Sequence, residues 1–154
     1  MLDSVVRRRQ CTVVFRVLGG FVDVTSRTAR RTPARFVVSA GALLVAVAHI
    51  LVTPEHLEEV PYLGILFVLL TIACSAIAIV VLVHDASLVY AVAGGICAAT
   101  ILGYVATRLV AFPMLADDVG NWWEPLGVVS VISEGVVVVA ALMALSRPAG
   151  RLAT

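Results

Sequence analysis

The stretch "YLGILFVLLTIACSAIAIVVLV", residues 62–83, carries no charged side chain. A hydrocarbon core about 30 Å thick needs roughly 20 helical residues to cross it, and this run is long enough. Its valines and isoleucines would suggest strands in water. In lipid each backbone N–H and C=O must be paired within the segment, so a run of this length predicts a helix.

Three further runs surround it: "FVVSAGALLVAVAHILV" at about 36–52, "LVYAVAGGICAATILGYVATRLV" at about 88–110, and "LGVVSVISEGVVVVAALMAL" at about 126–145. The expected fold is all-α, an up-down four-helix transmembrane bundle spanning residues 34–146. Composition agrees. Of 154 residues, 61% are hydrophobic and 14% charged, against about 25% charged in a soluble domain. A core this small cannot hide so much apolar surface. Lipid is the fitting solvent.

The charges are segregated. There is no lysine, and eight of the eleven arginines precede the first span: Arg7, Arg8, Arg9, Arg16, Arg27, Arg30, Arg31 and Arg35. Arg147 and Arg151 follow the last. The links after the first and third spans hold Glu55, Glu58, Glu59, Asp117, Asp118 and Glu124 instead. Cytoplasmic segments retain Arg and Lys. The reading is therefore a multi-pass protein of the cell membrane, with both termini cytoplasmic and both acidic links outside. "HDAS", 84–87, becomes the cytoplasmic turn, and the indoles of "NWW", 121–123, suit the outer interface. Residues 1–33 lack the uninterrupted apolar stretch and cleavage site of a signal peptide. They read as an Arg-rich cytoplasmic segment, disordered or lying on anionic lipid, and residues 147–154 as a cytoplasmic tail. The arginines are explained by orientation and lipid, so no nucleic-acid partner is expected. Cys11, Cys74 and Cys97 show neither CxxC nor metal-ligand spacing.

Polar residues gather in "HILVTPEHLEEVPYLG", 49–64. Thr53 and Pro54 read as N-cap and first position of a short outer helix over 54–60, broken by Pro61. The third span places Thr100, Tyr104, Thr107 and Arg108 on one face, and the fourth places Gly127, Ser130, Ser133 and Glu134 mostly on one face. Glu134 falls about 12 Å below the outer end of its span. A charge there costs about 2.5 to 3.5 kcal/mol on insertion scales, so it should face the bundle interior, protonated or paired, with Arg108 the expected partner. The residues expected to line an outward-facing polar pocket are His49, Tyr104, Arg108, Ser130 and Glu134. Gly95, Ala99 and Gly103 form a small-xxx-small ladder that predicts close helix packing, within the chain or between copies.

The combination of "H" at 49, "PEH" at 54–56, "E" at 59, "YLG" at 62–64, "TR" at 107–108, "P" at 113, "EP" at 124–125 and "E" at 134 resembles small four-span prokaryotic integral membrane proteins of unassigned function. Val60 stands where that pattern has an aromatic residue, and the second span lacks its glutamine. The resemblance implies the same polar residues and names no reaction.

No serine has a glycine elbow, and no HExxH, Walker loop or dinucleotide fingerprint occurs. The leading functional reading is a non-catalytic protein, either binding a small ligand in the pocket or serving as an accessory subunit of a larger membrane complex or homo-oligomer. The alternative is a redox or transport component. In it His49, His56 and Glu55 hold copper or zinc, or a histidine ligates haem, and Glu134 exchanges protons. The bland reading of Glu134 with Arg108 is a structural pair that orders the bundle.

Overall fold

The computed structural model describes residues 33–146, together with the backbone of two short paired strands, β1 (Arg16–Val17) and β2 (Gly20–Phe21). The remainder of the N-terminal segment and the tail at 147–154 lie outside the described residues. Four helices follow: α1 (Ala34–Glu59), α2 (Pro61–Val83), α3 (Ser87–Leu109) and α4 (Pro125–Leu145). All four are long and apolar enough to cross a membrane. Leu43, Leu44, Ile79, Leu102 and Ile132 are among the large apolar side chains left exposed, the reverse of a water-soluble surface. This is an integral membrane protein built as an all-α four-helix bundle.

The second, third and fourth helices start and stop within a residue or so of the expected spans. The first does not. It runs unbroken through Pro54, and the separate outer turn expected over 54–60 is part of it. Pro54 withholds one N–H, from the carbonyl of Ile50, but its fixed φ suits a helix. The flanking side chains turn back onto the helix as well. Thr53 Oγ1 donates to the His49 carbonyl at 2.6 Å, and His56 Nδ1 lies 2.9 Å from the Val52 carbonyl. Thr53 is therefore not an N-cap. The helix ends only at Val60, where Pro61 disfavours helical backbone in the residue before it, and Val60 adopts φ −137° and ψ 73°. Val60 serves both helices: its N–H donates to the His56 carbonyl, and its carbonyl accepts from Leu63 and Gly64. A one-residue hinge forces α1 and α2 together. A Cβ at Gly64 would stand 2.7 Å from the Leu57 backbone nitrogen, so only glycine fits.

The helices pack in the spatial order α2, α1, α4, α3. The pairs α1–α2, α1–α4 and α3–α4 are extensive, whereas α2 and α3 share few contacts. They converge near their link at 84–86, where Cys74 and Val81 join Tyr90, Ala93 and Cys97 in a dry core with Val38, Val45 and Val137. Beyond Cys74 and Cys97, both free thiols, α2 and α3 part. The gap between them is the cavity described next. The ladder of Gly95, Ala99 and Gly103 packs against nothing close: a Cβ at Gly95 or Gly103 meets no neighbouring atom within 4 Å. The close α3–α4 approach occurs one residue away, where a Cβ at Gly94 would lie 3.2 Å from Ala141.

Candidate functional site

A cavity of about 620 Å³ occupies the half of the bundle remote from the 84–86 link. All four helices contribute to its wall. Most of the lining is apolar, including Val52, Leu63, Leu66, Phe67 and Ile96. His49, Tyr104, Arg108, Ser130 and Glu134, the five expected pocket residues, all line it. Thr100 and Thr107 line it too, as their offsets on α3 predict, although their hydroxyls are spent on the Ile96 and Tyr104 carbonyls.

The deep polar contact joins α1 to α4. Ser130 Oγ donates to Glu134 Oε1 at 3.3 Å and lies 3.4 Å from His49 Nε2, which is itself 3.5 Å from Glu134 Oε1. With Nε2 protonated, His49 donates to Ser130 and Ser130 to the carboxylate, a short relay across the helix interface. Glu134 is 1% exposed and His49 5%. The second carboxylate oxygen, Oε2, is buried and has no hydrogen-bond partner.

Arg108 is not the partner of Glu134. It forms an ion pair with Asp118 Oδ1, and its Nη1 also donates to the Asp118 carbonyl at 3.3 Å. Depth explains the correction. Glu134 is nine residues inside the start of α4, about 14 Å, whereas Arg108 is one residue from the end of α3. His49 is the group at matching depth. Because α1 continues to Glu59, His49 lies ten residues, about 15 Å, from that end. Asp118 reaches Arg108 because the α3–α4 link doubles back. A 3-10 turn at Ala116–Asp118 precedes Gly120, which takes φ +80° and donates its N–H to the Arg108 carbonyl at 3.0 Å. Arg108 also lies over the Tyr104 ring, 4.6 Å from its centroid, a cation–π arrangement.

The proposed metal set of His49, His56 and Glu55 is not brought together. His49 and His56 are seven residues apart on one helix, about 10 Å along its axis. His49 turns to Glu134 and His56 to its own backbone, while Glu55 is exposed. Phe67 packs against both imidazoles, stacked on His49 at 5.0 Å and edge-on to His56 at 4.9 Å. Among the described residues no three His, Cys, Asp or Glu side chains converge to hold a metal ion.

Two contributors escape a reading by residue type. Phe67 looks like one more apolar residue of a lipid-facing run. Asp118 looks like part of an acidic outer link, and its only sequence signal is the glycine two positions later that lets the chain return. The link also covers one end of the cavity. Phe112, Leu115 and Asp118 line it, and the Tyr62 and Tyr104 hydroxyls donate to the Pro113 and Trp122 carbonyls at 2.8 and 3.0 Å. Glu124 starts α4 as its N-cap, accepting from the Leu126 and Gly127 N–H groups, which suits the positive end of a helix.

Compared with protein-family models, curated proteins and solved structures, the chain matches none.

Proposed function

We propose that this is a non-catalytic ligand-binding membrane protein, whose cavity takes the polar head of a small molecule against Glu134, Ser130 and His49. One observation carries the reading: Glu134, deep in the bundle, lines the cavity, and its buried Oε2 has no partner. A buried acceptor left unmade costs about 1 to 3 kcal/mol, more for a charged group. A ligand group that meets it recovers that cost. The cavity volume also falls in the range of small-molecule sites, about 300 to 1,000 Å³. The arginine asymmetry supports an orientation with both termini in the cytoplasm, which turns the covered end of the cavity outward.

Native mass spectrometry of the protein, released from its own membranes in mild detergent, tests this. An adduct of one small molecule per chain is expected. It should disappear in Glu134→Gln and persist in Ser39→Ala, which removes a hydrogen bond to the Ala78 carbonyl at the other end of the bundle. An adduct-free wild type, or an adduct indifferent to Glu134→Gln, overturns the reading.

The His49–Ser130–Glu134 relay also favours a second reading, proton exchange through Glu134. That reading expects a carboxyl infrared band that changes with pH and vanishes in Glu134→Gln. A band that stays constant with pH refutes it.

A further inference from the structure

We propose that the occupant is a membrane-dissolved amine, with its protonated nitrogen on Glu134 and its apolar chain in the cleft between α2 and α3. The inference rests on the cavity being a ligand site, and it adds the chemistry of the ligand.

The charges lining the cavity are unequal once their partners are assigned. Among the described residues Arg108 is its one arginine, and it is engaged by Asp118. The two oxygens of Glu124 are engaged by the N-terminus of α4. His56 Nδ1 is engaged by the Val52 carbonyl. Glu134 remains, with Ser130 and His49 on Oε1 and nothing on Oε2. His49 offsets a Glu134 carboxylate only with its own ring protonated, and it leaves Oε2 without a donor, which is costly at this depth. An ammonium group supplies a positive charge and the missing N–H together. An alcohol supplies only the hydrogen bond. A fatty acid adds a second negative charge beside Glu134. The Nε of Arg108 is also unpartnered and could draw an anionic head, but it lies about 12 Å nearer the covered end and its charge is already met by Asp118.

The body of the ligand follows from the walls. Leu66 and Leu69 of α2 line the cavity yet remain 54% and 58% exposed, so its flank is continuous with the surface that meets lipid. On α3 the opposite edge is Ala99 and Gly103, and a Cβ at Gly103 would have no neighbouring atom within 4 Å. The link at the other end is tied down by the two tyrosines and by Arg108 with Asp118. An alkyl chain therefore fits between α2 and α3 and is shared with the hydrocarbon. Phe67 and Tyr104 line the same space, with one ring face of each covered by His49 and Arg108 respectively.

The probes are dodecylamine, dodecyltrimethylammonium, dodecanol and dodecanoate, titrated onto the protein in phosphatidylcholine nanodiscs. Comparing wild type with Glu134→Gln cancels partitioning into the lipid. Dodecylamine should bind wild type at least about tenfold more tightly than Glu134→Gln, as expected for one charge-assisted hydrogen bond. Dodecyltrimethylammonium, with charge but no N–H, should show a smaller ratio, and dodecanol a ratio near one. Gly103→Leu should weaken dodecylamine about tenfold without lowering the melting temperature of ligand-free protein. An amine ratio near one, a larger ratio for dodecanol, or tightest binding of dodecanoate overturns the amine assignment. Unchanged affinity in Gly103→Leu overturns the placement of the chain. Failure of all four probes overturns this inference, whereas the adduct test above judges the ligand-site reading independently.

Discussion

At the residue scale, two glycines with the same propensity have opposite meanings. Gly64 sits where the hinge presses α2 onto the backbone of Leu57. Gly64→Ala should force the hinge apart and cost about 1 to 3 kcal/mol, the usual range for overpacking. The same change at Gly103 meets open space, and the helix gains from losing glycine by up to about 1 kcal/mol. Thermal melting in detergent should therefore fall for Gly64→Ala and hold or rise for Gly103→Ala. Equal effects at the two positions would contradict the close α1–α2 approach.

At the element scale, α1 carries a proline it could do without. If Pro54 is a helical residue, Pro54→Ala restores a donor to the Ile50 carbonyl and removes a steric conflict. An increase in stability of about 1 to 3 kcal/mol is expected, within the known cost of proline in a helix interior. Lower stability would show that the local bend matters more than the missing bond. The end of α3 gives a sharper test. Arg108→Leu and Asp118→Asn should be strongly non-additive in a double-mutant cycle, with coupling of about 1 to 3 kcal/mol, because each change removes the same charge-assisted contact. Arg108→Leu and Glu134→Leu should be additive, since the two side chains lie at different depths and share no partner. Strong coupling in the second cycle, with none in the first, would reverse the assignment.

At the scale of the whole molecule, the arginine asymmetry and the cavity make one joint prediction. Single cysteines at Asp117 and Ala149, in a chain freed of Cys11, Cys74 and Cys97, should react with a membrane-impermeant reagent from opposite sides, with 117 outside. Labelling from the same side would be incompatible with four crossings. Labelling of 117 only from the cytoplasm would keep the bundle and invert the cavity. The molecule is also lopsided along the membrane normal. One half is a dry core around Val38, Cys74, Tyr90 and Val137, and the other holds the polar relay and the gap between α2 and α3. Ligand-free protein should therefore exchange backbone amides faster in residues 62–70 and 99–107 than in 74–81 and 90–97, because local opening follows local packing.

The spans, their number and the interior placement of Glu134 follow from the sequence by itself. Lipid supplies no partners for the backbone, so apolar runs of sufficient length become helices whatever their neighbours, and a carboxyl at mid-span must turn away from hydrocarbon. The shared face of Thr100, Tyr104, Thr107 and Arg108 is a matter of helical period and was legible for the same reason. Pairing across helices was not legible, because it depends on depth, and depth depends on where each helix ends. Reading Pro54 as a helix start ends the first span near Val52, which puts His49 close to that end, and the expected partner of Glu134 is Arg108. With α1 extended to Glu59, His49 descends to the level of Glu134, and Asp118 is folded back onto Arg108 by the turn at Gly120. The ladder on α3 could not reveal that it borders a gap, since small residues permit close packing without requiring it. Only the tertiary arrangement, in which α2 and α3 meet at their link and then part, decides that this space is a cavity and that Glu134 lines it.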